Sequence, residues 1–127
     1  MPIETVEHGD FVEFRVSTAV ASSEIIRHVH DYYSVHATPL VLWSFAPGTL
    51  VNIPAADFRE IARETGLHYA ARGDRARTSI VVATEAELLL VKAFIAWAEA
   101  DPTMPIDCST DRDQALACLL EETGKTP

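Results

Sequence analysis

Basic charge is scarce in this chain: ten Lys and Arg stand against 19 Asp and Glu in 127 residues, a formal charge of −9. Phosphate contacts supply most nucleic-acid affinity, so a general binder of DNA or RNA is not expected. An anionic membrane surface is disfavoured for the same reason. Long apolar runs are missing too; none approaches the roughly 18–20 residues that span a bilayer, and no membrane span is expected. The opening residues MPIETVEHGD carry neither a basic nor an apolar signal region. No secretory signal is therefore expected, and the cytoplasm is the expected compartment. Cysteine is nearly absent. Cys108 and Cys118 fall in apolar company on a strand and a helix, and reduced thiols are expected over a disulfide.

Catalytic signatures are equally lacking. There is no Walker pattern and no G-x-G-x-x-G, so no nucleotide cofactor has motif support. No G-x-S-x-G or Cys–His signature appears, and Ser44 sits inside an apolar run. Among the five histidines, His28-Val29-His30 resembles a metal pair. On a helix, however, residues two apart diverge by about 200° and cannot share one ion. Helix-surface histidines are the expectation, and no catalytic residue, metal ligand or cofactor is assigned.

What remains is ordinary globular composition, 48% hydrophobic and 23% charged, enough for one domain over residues 1–127 with a substantial core. Ile3–Glu7 and Phe11–Ser17 flank His8-Gly9-Asp10 and read as a β-hairpin. In its second strand Val12, Phe14 and Val16 share one face, with Glu13 and Arg15 turned to a wet one, as at a sheet edge. A helix over Ala21–Tyr33 follows, capped by Ser22 or Ser23. Leu40–Phe45 is a short apolar run typical of a buried strand. After the Ala46-Pro47-Gly48-Thr49 turn, Pro54 suits a first helical turn and Gly66-Leu67 a left-handed C-terminal cap. Arg77–Ala83 has the strongest β propensity, and Thr84 and Glu87 form a capping box for a helix running to about Ala100. A strand over Pro105–Cys108 and a helix over Asp111–Glu122 complete the pattern. The expected fold is α/β: a mostly parallel sheet of about five strands, an N-terminal hairpin and about four helices.

Three segments in this order, PLVLWSF, RTSIVVAT before a long amphipathic helix, and MPIDCSTDRDQALACLL, resemble the small bacterial domains with a SpoIIAA-like fold. These are the STAS domains, named for sulfate transporters and anti-sigma factor antagonists. The resemblance implies a non-enzymatic domain that binds a protein partner or a small ligand. It also implies a phosphorylatable serine near the start of the helix after the central strand. The matching segment TLVNIPAA has none, so that role is not carried over.

Three surfaces are the candidates for function. The loop carrying Pro47, Gly48, Thr49 and Asn52 could present backbone N–H groups to an anion or a partner. Leu90, Phe94 and Trp97 lie on a helix too apolar for one buried stripe, and that flank is covered by the same domain, by a homodimer or protein partner, or by a hydrophobic ligand. Arg72, Arg75 and Arg77 belong to an arginine-rich segment able to bind an anion, or else form a solvated loop. Protein–protein interaction is the first expectation. The alternative is a small-molecule or lipid carrier with an apolar groove near Trp43 and Trp97 and an arginine-lined site for an anionic head group.

Overall fold

Alternating apolar residues in short runs build the sheet. In the computed structural model, which describes residues 2–98 and 106–124, with side chains to residue 96 and from 106 to 120, five strands form. They are β1 (Ile3–Glu7), β2 (Val12–Val16), β3 (Leu40–Phe45), β4 (Arg77–Val81) and β5 (Ile106–Ser109). Their spatial order is their chain order. The sheet is mixed rather than mostly parallel: β1 runs antiparallel to β2, and the pairings from β2 to β5 are parallel.

Five helices connect and cover these strands, against an expectation of about four. They are α1 (Ser22–Tyr33), α2 (Asp57–Gly66), the four-residue α3 (Tyr69–Arg72), α4 (Glu85–Ala98) and α5 (Arg112–Gly124). Parallel crossovers share one hand, so stepping steadily from β2 to β5 puts the crossover helices on one face. Val29 of α1, Ile61 of α2 and Val91 of α4 accordingly join one apolar cluster with Phe14, Trp43 and Ile80 of the sheet. On the opposite face Ala115 and Leu119 of α5 pack against Leu40 and Leu42 of β3. Strand β3 is thus covered on both sides, which accounts for its unbroken apolar run.

Several local expectations shift. The N-cap of α1 is Ala21, whose N–H donates to Glu24 Oε1 at 2.8 Å, so neither Ser22 nor Ser23 caps it. Pro54 precedes α2, closing a turn in which Asp57 N–H donates to its carbonyl at 2.9 Å. Gly66 is the last residue of α2, and Leu67 after it stays right-handed at φ −61° as the chain continues into α3. No left-handed cap forms there. The ends at Ala100 and Pro105 lie outside the described residues.

The largest departure concerns Glu13. Strand β2 lies one place in from the edge, between β1 and β3, and the Arg112 side chain of α5 reaches its second face. Glu13 is fully buried.

Candidate functional site

A cavity of about 70 Å³ lies between the sheet and the three crossover helices. Its floor follows from strand register: Phe14 pairs with Trp43 and Trp43 with Ile80, a continuous row across β2, β3 and β4 on one face. Val29, Ile61, Val91 and Phe94 close it from the helices. A water needs only about 10–15 Å³ of such space together with several polar partners. The space here is several times larger, and its walls are mostly hydrocarbon. It suits a small apolar molecule better than a water cluster.

One end is different. Arg72, Tyr33, Tyr69, Thr65 and Thr78 line it. Arg72 ends the short helix α3 and is only 7% exposed, although its position in a polar segment predicts a solvated loop. Its Nη2 lies 2.8 Å from the carbonyl oxygens of Pro39 and Arg77 and 3.0 Å from Thr78 Oγ1. The guanidinium also sits 5.8 Å from the ring centroids of both Tyr33 and Tyr69, within cation–π range. Its partners are carbonyls, a hydroxyl and two rings. Among the described residues its buried Nε has no hydrogen-bond partner. Burial lowers the Arg72 pKa, yet guanidinium remains charged at any ordinary pH. Burial likewise pushes Tyr33 up to about 12, so it stays a neutral phenol.

The three arginines expected to act together are separated. Arg72 faces the cavity, while Arg75 is exposed. Arg77 donates from Nη1 to the Cys118 carbonyl of α5 at 2.8 Å, across the sheet from the helices that roof the cavity. The α4 flank also divides. Leu90 is 40% exposed and its neighbour Leu89 69%, whereas Phe94 is half-buried, lines the cavity and meets Phe58 edge-on at 6.4 Å. The side chain of Trp97 lies outside those described.

In the loop after β3, Pro47, Gly48 and Asn52 are exposed and Thr49 is buried. Gly48 takes φ +78° within the turn, a conformation that favours glycine. Its N–H donates to Glu87 Oε2 at 3.0 Å. The anion held by this turn is therefore the chain's own carboxylate. Glu87 also receives the Thr84 hydroxyl at 3.1 Å, and its N–H donates back to Thr84 Oγ1 at 3.2 Å. The expected capping pair thus forms and adds a tie to the turn.

A second polar cluster, unforeseen in the sequence, surrounds Glu13. Arg112 donates to both carboxylate oxygens, at 2.6 and 2.9 Å. Ser44 Oγ donates at 2.6 Å, His8 Nε2 at 2.8 Å and Arg15 Nε lies at 3.2 Å. Burial alone would raise this carboxyl, but the bonds from Arg112, Ser44, Arg15 and His8 outweigh it and hold the pKa far below the usual range. A carboxylate held so firmly ionised is a poor general base; its geometry is that of a lock between α5 and the sheet.

The histidines are engaged rather than loose on a helix surface. His28 Nε2 is 2.7 Å from Thr5 Oγ1, and its ring meets Phe14 edge-on at 4.9 Å. His30 Nδ1 and His68 Nε2 are 2.6 Å apart, and His30 Nε2 lies 3.1 Å from Glu64. Both His30 nitrogens are committed to protein partners. Among the described residues no group of three or more His, Cys, Asp or Glu side chains could hold a metal ion. Cys108 and Cys118 are free. No described helix is long and apolar enough to cross a membrane.

Arg72 was visible in the sequence only as one arginine among five. The sharper signal was Tyr69-Ala70-Ala71-Arg72, an aromatic and a cation three apart on one helical face. No protein-family model matches this chain, and no curated protein matches it either.

Proposed function

We propose that this protein is a non-enzymatic cytoplasmic binding domain that encloses a small apolar molecule between its sheet and α1, α2 and α4. One observation carries the reading: the cavity floored by the Phe14–Trp43–Ile80 row, with buried Arg72 at one end. Ligand sites are concave, mostly apolar and furnished with few polar groups, and this one has that composition. The likeness to STAS domains, with their roles in binding rather than catalysis, fits the same reading. Native mass spectrometry of protein purified from its own host tests it. A bound non-protein mass that disappears on denaturation is expected; a bare chain across independent preparations would contradict it.

A second reading, interaction with a protein partner as in STAS domains, is favoured by Leu89 and Leu90, which α4 presents to solvent side by side. The two readings are compatible in space, since neither Leu89 nor Leu90 is among the residues that line the cavity.

A further inference from the structure

We infer that the ligand of the cavity is a small monocarboxylate, its hydrocarbon body on the Phe14–Trp43–Ile80 row and its carboxylate at Arg72. This rests on the cavity reading above and adds the chemical class of the ligand. The first argument is charge. Arg72 is 7% exposed, and its partners are two backbone carbonyls, the Thr78 hydroxyl and the Tyr33 and Tyr69 rings. A buried cation without a counter-charge is costly, and an anion beside it offsets that cost. The second is donor capacity. Among the described residues the buried Arg72 Nε has no partner, and guanidinium matches the planar, two-oxygen geometry of a carboxylate.

The third argument separates carboxylates from other anions. Among the described residues Arg72 is the one arginine or lysine lining the cavity, so a dianionic phosphate ester would carry a buried excess negative charge. A carboxylate cancels the cation one for one. The fourth is size: about 70 Å³ admits a short branched chain, not an extended acyl chain, being less than half the roughly 150 Å³ of an apolar cavity that encloses benzene. The apolar walls select against amino or hydroxy acids, whose additional polar groups would be left unpaired.

The test compares acids with their neutral amides on the intact chain: isobutyrate with isobutyramide, and isovalerate with isovaleramide, by calorimetric titration and thermal shift at pH 7. In each pair the acid is expected to bind at least tenfold more tightly. Arg72→Met should remove that preference, leaving acid and amide within about twofold, because the hydrocarbon contacts persist. Amides that bind the wild-type protein as well as acids overturn the carboxylate assignment while leaving the cavity reading standing. Failure of all four compounds to bind overturns both. If Arg72→Met does not fold, the wild-type acid–amide ratio alone decides, because it needs no variant.

Discussion

Replacing Glu13 by Gln probes the polar lock that joins the first strands to the last helix. The perturbation keeps the side-chain shape and removes the charge. It sets an amide N–H₂ or a neutral oxygen against donors from Arg112, Ser44, His8 and Arg15, so at least one donor loses its acceptor. Breaking a buried ion pair from one side costs about 3–5 kcal/mol. The lower end applies here, because the Arg112 side chain is 41% exposed and can be solvated when its partner goes. With a urea m-value of about 1.5 kcal/mol/M, a loss of about 3 kcal/mol moves the unfolding midpoint down by about 2 M.

The effect also has a defined pH dependence. The folded-state pKa of Glu13 is depressed, so its contribution is full above the unfolded glutamate value of about 4.3. It is lost as pH falls from there toward the folded value. The gap between wild type and Glu13→Gln in urea should therefore shrink below about pH 4 and be constant from pH 6 to 8. A midpoint shift below about 0.5 M at pH 7, or a gap that widens in acid, refutes the lock.

Three further outcomes follow from individual contacts. Thr84→Ala should cost about 1 kcal/mol in chemical denaturation, since it removes the acceptor for the Glu87 N–H and loosens the side chain that holds Gly48; an unchanged midpoint would show that the cap is idle. Burial, then His30 and Arg72, depress the His68 pKa. Below about pH 6.5 the unfolded chain therefore takes up that proton first, and stability falls as pH drops. In His68→Gln the decline between pH 6.5 and 5 should be shallower, and an unchanged or steeper slope contradicts it. Leu89→Asp with Leu90→Asp should leave stability within about 0.5 kcal/mol, as for other exposed sites; if α4 docks a second copy, sedimentation velocity should show a loss of oligomer, and an unchanged distribution argues against self-association there.

Local chemistry was legible in the sequence. The hairpin around His8–Asp10, the buried strand Leu40–Phe45, the turn at Pro47–Gly48 and the Thr84 cap each depend on neighbours a few residues apart, and each stands where its pattern predicts. Long-range chemistry was not. Glu13 meets Arg112 across 99 positions, and a glutamate alternating with apolar residues reads as solvent-facing until α5 is known to cover it. Arg72 reaches back 33 positions to Pro39 to find an acceptor. Gly66-Leu67 misled for a related reason: the cap pattern is local, but the chain there turns at once into α3 instead of leaving the helix. The cavity is a property of how three helices sit on a row of paired strands, which no single stretch encodes.

Trp43 offers the most direct view of the cavity, because it is buried and forms part of the floor. The sequence has two tryptophans, so a Trp97→Phe chain reports from Trp43 alone. Titrating that chain with isobutyrate should give a saturable, single-site change in Trp43 fluorescence, matched by a rise in unfolding temperature that grows with ligand concentration. A spectrum that stays constant to millimolar isobutyrate, with an unmoved unfolding temperature, would contradict the proposal that this fold encloses a ligand.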